Sequence, residues 1–355
     1  MSKSQHPKQR KRSFINEEAI NRIKANQRKL PTVEQFVKGI QNNNRVLLSQ
    51  AITLIESKRP DHQQLAQQVI EQCLPNTVES IRIGITGTPG VGKSTFIEAF
   101  GQLLLEKGRR VAVLAVDPSS QVSQGSILGD KTRMASLSTD SRAFIRPSAA
   151  GGSLGGVARK TRETIVLLEA AGFDTILIET VGVGQSEVAV YSMVDFFLLL
   201  LLPGAGDELQ GIKRGIVEMA DLLVVNKADG DNLILAKQSR QAYKNAVHLF
   251  PPKESGWVPR VRLCSALNDE GLTEIWTAVE AYEQELKSSG YWEQSRREQA
   301  AYWLTETVQR LLGERFYSDK AVKDQLKTLE ADVLAGRMLP FAAATKLVRL
   351  FVGKP

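Results

Sequence analysis

The spacing of hydrophobic and polar positions changes its rhythm along the chain. From residue 33 to about 80, apolar groups recur at helical intervals: Val33, Phe36 and Val37, then Val46, Leu47 and Leu48 with Ala51, Ile52 and Ile55. Such spacing draws one stripe down a helix. Lys58-Arg59-Pro60-Asp61 interrupts it, and a second helix is expected from Leu65 to Leu74, ahead of Pro75-Asn76. From Ile81 the texture turns to short continuous apolar runs divided by helical stretches. The runs are Ile81–Thr86, Val111–Val116, Thr175–Ile178, Phe196–Leu202, Leu222–Val225 and Val261–Leu263. Continuous runs suit strands buried on both faces, so the fold predicted is α/β, a doubly wound, mostly parallel sheet covered by helices. After Ser265 no strand signal returns. Leu272, Ile275, Trp276 and Val279 share a helical face, and Tyr302, Leu304, Leu311 and Leu312 follow in the same period. The expected organisation is a tail over 1–32, a helical segment over 33–80, an α/β domain over 81–270 and a helical segment over 271–355.

Composition narrows the class. With 42% hydrophobic and 24% charged residues over 355 positions, the chain is neither disordered, collagen-like nor a coiled-coil rod. Its longest purely apolar run, Phe196–Leu202, is far short of the ~20 residues a membrane span needs, so no membrane partner is expected. The net charge of +7 resides in the first 30 residues, which hold nine Lys/Arg and two Asp/Glu; the rest of the chain is balanced. Phe14 is the single aromatic among these charges and no glycine interleaves them, so a solvated extension is expected and nucleic acid is not. No apolar signal-peptide core follows Met1, although a mitochondrial transit peptide shares the basic, acid-poor character. Cys73 and Cys264 stand far apart with no C-x-x-C pair, and His6, His62 and His248 are scattered. That inventory points to a reducing, cytoplasmic setting and offers no thiolate–imidazole cage.

The chemistry begins at Gly87-Thr-Pro-Gly-Val-Gly92-Lys93-Ser94-Thr95, which follows the run Ile81–Thr86 and precedes the helical pattern Phe96-Ile-Glu-Ala-Phe100. This is G-x-x-x-x-G-K-[ST] in its strand–loop–helix context. The segment Gly87, Thr88, Pro89, Gly90, Val91, Gly92 lets backbone N–H groups converge on phosphate oxygens at a helix N-terminus. Lys93 is expected to reach the outer phosphates and Ser94 to offer its hydroxyl to Mg2+. Downstream, Asp221-Leu-Leu-Val-Val225 runs straight into Asn226-Lys227-Ala228-Asp229. The Asp229 carboxylate can accept from both N1–H and the 2-amino group of guanine, donors that adenine lacks, so GTP/GDP and not ATP is the expected ligand. Asn226 and Lys227 would brace the loop and cover the base. Ser265-Ala266-Leu267, closing the last run, would present a backbone N–H to the guanine O6.

Carboxylates end two other runs. Asp117 follows Val111–Val116, and Glu179 follows Thr175–Ile178, the station where ligands gather in open α/β sheets. Glu179 can hold Mg2+ or its water, and Gly182 can turn its N–H to the γ-phosphate. Asp130 lies in the mixed loop Gly125–Arg133. Many small GTPases place a glutamine directly after the glycine of this second switch to orient the attacking water. Here that position is Val183, and Gln185 is the candidate substitute. Slow intrinsic hydrolysis, tuned by a partner, is therefore expected, with Lys93, Glu179 and Gln185 as the catalytic candidates.

Together, Gly87–Thr95, Val116–Ser120, Gly125–Met134, Glu179–Ser186 and Asn226–Asp229 closely resemble the methylmalonyl-CoA mutase-associated GTPases. These include proteins once labelled arginine/ornithine transport kinases and belong to a wider group of metallochaperone-like P-loop GTPases. Gly204–Gly215 is similar to that family's third switch. The resemblance implies a P-loop GTPase domain over 81–270 with N- and C-terminal helical extensions, and a homodimer joined through the C-terminal helices. It implies that Ser94, Asp117, Asp130 and Glu179 serve Mg2+. It also implies that GTP turnover gates adenosylcobalamin loading onto an acyl-CoA mutase and protects that enzyme. No Asp-x-His-x-x-Gly is present, so the chain is not expected to carry a cobalamin module itself. The alternatives are a nickel-type metallochaperone GTPase, which needs Cys/His ligands near its switches, a protein or amino-acid transport kinase, and a non-catalytic GTP switch.

Overall fold

The structure is a computed structural model and describes residues 30–116, 134–147, 154–180, 186–204 and 214–353. The basic tail to residue 29, Asp117, Asp130, Gly182, Gln185 and most of the loop resembling a third switch lie outside the described residues.

Three helices open the described chain: α1 (Val33–Gln41), α2 (Arg45–Glu56) and α3 (Pro60–Cys73). Thr32 caps α1 in a reciprocal box with Gln35, and the Asn44 carboxamide accepts from Val46 and Leu47 at the head of α2. These contacts satisfy the free N–H groups of a first turn. The break expected at Pro60 is the first residue of α3, not a gap ahead of Leu65. Proline suits that position because its missing N–H has no helical acceptor to lose there.

The sheet has seven strands: β1 (Ile81–Gly87), β2 (Val111–Val116), β3 (Ala143–Arg146), β4 (Thr175–Thr180), β5 (Phe196–Leu201), β6 (Leu222–Val225) and β7 (Arg260–Leu263). Their order is β3-β2-β4-β1-β5-β6-β7, and every pairing is parallel. The mostly parallel, doubly wound sheet is therefore as expected. Six strands coincide with the apolar runs. β3 is an addition: it is a four-residue edge strand paired only with β2.

Alternation sorts the strands between two cores. Ile81, Ile83, Ile85, Phe196, Leu198 and Leu200 face α4 (Lys93–Glu106), α5 (Ala135–Thr139) and α10 (Leu272–Ser289). Phe197, Leu199 and Leu201 face the other way, towards α1–α3, α6 (Leu154–Ala170), α7 (Ser186–Tyr191), α8 (Arg214–Met219) and α9 (Leu233–Val247). The first three helices thus share a core with the sheet. A 28-residue helix, α11 (Tyr291–Ser318), crosses from one core to the other, burying Trp292 in the first and Trp303 in the second. Beyond it α12 (Lys320–Leu334) and α13 (Pro340–Val352) pair around a small cluster of their own, Val322, Leu329, Ala343 and Leu347. Among the described residues, no helix is long and apolar enough to cross a membrane.

Candidate nucleotide site

β1 lies between β4 and β5, so its C-terminal end opens at the middle of the sheet. There the chain turns from Gly87 into the loop that feeds α4. At Gly87 a Cβ would stand 2.6 Å from the Leu200 carbonyl oxygen, because the loop presses against β5. Gly92 has φ +92°, and a Cβ there would meet the Asn226 Nδ2 at 3.0 Å. Both positions therefore require glycine, for close approach and for backbone sign. Lys93 begins α4, and its Nζ donates to the Gly87 and Thr88 carbonyls at 2.8 and 3.3 Å. Burial lowers the pKa of this ammonium, and the carboxylates of Glu179 and Glu187 oppose the shift.

Asn226 ties the phosphate loop to the base segment. Only 2% exposed, it donates from Nδ2 to the Val91 carbonyl at 2.9 Å and accepts on Oδ1 from the Ala266 N–H at 3.2 Å. Loops that follow β1, β6 and β7 are locked to one another by this one carboxamide. Lys227 has φ +56°, which carries its stem over Gly92. Asp229 accepts a short hydrogen bond from the Ser265 hydroxyl, and Ser265 exchanges two backbone hydrogen bonds with Glu270 to close the base loop. Ala266 is buried and Leu267 is exposed at the rim. A cavity of about 420 Å³ runs along α4 and reaches Thr95, Ala266 and Leu267.

Glu179 sits at the tip of β4, in register with Ile85 of β1 and Ala115 of β2, and is buried. Next to it, the Thr180 hydroxyl donates to that of Thr86 at 2.8 Å, joining the tips of β4 and β1. The structure brings Lys93, Ser94 and Glu179 to one end of the sheet, with Asn226, Asp229 and Ser265 alongside. Glu187 joins this group from the first turn of α7, 1% exposed and within electrostatic reach of Lys93. Its signal in the sequence is a carboxylate two residues beyond Gln185. Another addition is Glu98, whose carboxylate on α4 accepts from the backbone N–H groups of Ser136 and Leu137 at 2.9 and 3.1 Å. It thereby anchors α5 to the phosphate-loop helix.

The donor set suits the implied ligands. Ser94 and Glu179 offer oxygen, the donor that Mg2+ prefers. Thr88 places a buried hydroxyl in this loop that has no hydrogen-bond partner among the described residues. Cys264, beside the base loop, is 1% exposed, and burial pushes its thiol up to about 12, so it is no thiolate ligand.

Comparison with known proteins agrees with this geometry. The family described as "Methylmalonyl Co-A mutase-associated GTPase MeaB" matches residues 48–321. A probable GTPase of Mycobacterium tuberculosis is 50% identical over 319 residues, 90% of this chain and 95% of that protein. The mouse "methylmalonic aciduria type A homolog, mitochondrial" is 45% identical over 329 residues, covering 90% of this chain and 79% of its own length. A crystal structure titled "LAO/AO transport system kinase" superposes with a TM-score of 0.72 at 36% identity, over 96% of this chain and 100% of that one.

Proposed function

This chain belongs to the methylmalonyl-CoA mutase-associated GTPase family, and on that premise we propose that it binds and hydrolyses GTP to gate adenosylcobalamin loading onto an acyl-CoA mutase of the methylmalonyl type and to protect that enzyme. The observation that carries the nucleotide part is the Asn226 bridge, which sets Asp229 and the Ser265–Leu267 segment in a fixed relation to the phosphate loop. In this reading the ligand spans both ends, with phosphates at one and a base with paired donors at the other.

Each residue then has a role that follows from its chemistry. Lys93 and the backbone N–H groups of Gly90, Val91, Gly92, Lys93 and Ser94 hold the β- and γ-phosphates against the helix N-terminus. Asp229 accepts from guanine N1–H and the 2-amino group, while Asn226 and Lys227 keep its loop in place. Ser94 and Glu179, with Asp117 and Asp130, are the residues that would hold Mg2+, which when bound supplies positive charge to the phosphate oxygens. Gly182 donates to the γ-phosphate and Gln185 orients the attacking water. The proposed setting is the cytoplasm, where Cys73 and Cys264 stay reduced. A homodimer through the C-terminal helices belongs to the same proposal; Leu304, Leu311, Leu312 and Phe341 are exposed apolar groups on those helices.

The test is steady-state hydrolysis of GTP and of ATP by the purified chain, alone and with an adenosylcobalamin-dependent acyl-CoA mutase from the same organism. Slow GTP turnover that the mutase alters, with ATP inert, is the expected result. GTP turnover indifferent to such mutases removes the partner, and ATP turnover that labels a protein or amino acid replaces the proposal with a kinase.

A further inference from the structure

On the face of the sheet opposite α4, a cavity of about 240 Å³ lies between α3, α6 and α11, lined by three arginines: Arg82, Arg159 and Arg162. Two of them are neutralised. Arg82, from the second position of β1, donates to the Glu169 carboxylate at 2.8 and 2.9 Å. Arg159 pairs with Glu163 at 2.5 Å, one turn along α6. Arg162 differs. Its guanidinium lies over the Trp303 ring at 4.7 Å from the centroid, and it has no hydrogen bond or ion pair with any described residue. Burial, and secondarily the nearby Arg82, bring its pKa down to about 10. Opposite, on α11, the Thr307 hydroxyl lines the same cavity and makes no hydrogen bond among the described residues.

A half-buried guanidinium without a counter-ion is costly to maintain. It lies over the indole with no hydrogen-bond acceptor among the described residues, in a cavity that Thr307 and two further arginines also line. Planar N–H donors arranged this way match the oxygens of a carboxylate or phosphate, the groups arginine binds most strongly. We propose that this cavity is an oxyanion site that takes a phosphate or carboxylate group between Arg162 and Thr307, with Trp303 as its floor. The cavity is sized for such a group and a few further atoms, not for a nucleotide. It is separate from the phosphate loop: Arg82 and Gly87 lie at opposite ends of β1, roughly 16 Å apart along a strand.

The experiment uses the full chain saturated with GDP, so that the phosphate loop is filled, and titrates inorganic phosphate and malonate in parallel at constant ionic strength. Trp303 emission is the readout, identified by its loss in Trp303→Phe. A saturable change with millimolar midpoint is expected for at least one of the two anions. Arg162→Gln should weaken it at least about tenfold, and Thr307→Val by a smaller factor. Arg59→Gln, a surface control, should leave it unchanged. Tighter phosphate identifies a phosphorylated ligand and tighter malonate a carboxylate ligand. Both Arg162→Gln and Thr307→Val should hydrolyse GTP at the parent rate, which separates failure here from failure of the nucleotide assignment. A linear titration with both anions, or equal saturation in folded Arg162→Gln and Thr307→Val, overturns the proposal.

Discussion

Replacing Asn226 by alanine removes both contacts that hold the phosphate loop to the base loop, and the consequence can be worked from the structure. The Val91 carbonyl and the Ala266 N–H lose their partner at a position only 2% exposed. A buried polar group left unsatisfied costs about 1–3 kcal/mol, so the two together set a range of about 2–6 kcal/mol. Neighbouring loop residues relax and admit water, which places the expectation near the lower end. Most of that loss should fall on nucleotide binding and not on folding, because the sheet pairings β5–β6 and β6–β7 stay intact. A loss of about 2–3 kcal/mol corresponds to GDP affinity weaker by about 30- to 200-fold. Titration with a fluorescent GDP analogue measures it, and urea unfolding of the nucleotide-free protein supplies the folding comparison. Asn226→Asp is the sharper variant. It keeps an acceptor for Ala266 but turns a second oxygen towards the Val91 carbonyl, so it should bind GDP no better than the alanine variant. Parent-like GDP affinity in Asn226→Ala would refute the bridging role.

Three further outcomes follow from the same contacts. Asp229→Asn keeps the shape of the base acceptor but presents a donor to the guanine donors, so GTP affinity should fall by about 100-fold or more. ATP should not gain, which competition binding with both nucleotides checks. Arg296→Ala strips the counter-ion from Asp195, a carboxylate only 3% exposed that Arg296 holds at 2.8 Å and that then keeps the Arg82 N–H at 2.9 Å. A buried carboxylate without its counter-ion should lower unfolding stability by about 3 kcal/mol in urea, the low end of the range because the Arg82 N–H still donates to it, while GDP binding to the folded protein persists. The two thiols give a pH test. Burial pushes Cys73 up to about 11 and Cys264 up to about 12. Both therefore stay protonated through pH 9 in the folded chain, and labelling by a thiol reagent should be negligible until the protein is unfolded. Because these folded-state values are raised, the stability they contribute is full below the unfolded thiol pKa and declines as pH rises through about 11 to 12. Rapid native labelling at pH 8 would contradict the burial.

Much of this protein was legible in its sequence because the signals were local. A strand buried on both faces must be apolar throughout, so the runs in β1, β2, β4, β5 and β6 announced a parallel sheet. The phosphate loop was equally plain, since Gly87 and Gly92 are required by backbone geometry within a few residues of Lys93. β3 is an addition to the runs, and Pro60 starts α3 where the sequence pattern reads as a break. Glu187 and Glu98 gave no pattern of their own; each acts on an element distant in sequence or across a turn.

What the sequence determined by itself, then, was the class of sheet and the glycine-bearing turn at the tip of β1, both written in stretches of fewer than about ten residues. Tertiary structure alone decided that Asn226, 135 positions from Val91 and 40 from Ala266, would fasten two loops together. It also decided that Arg162 would meet Trp303 and Thr307 without finding a carboxylate. Those pairings depend on strand order and on which face each helix covers. The cause is parallel topology itself: every crossover returns the chain to the same edge of the sheet, so residues far apart in sequence arrive at one end together.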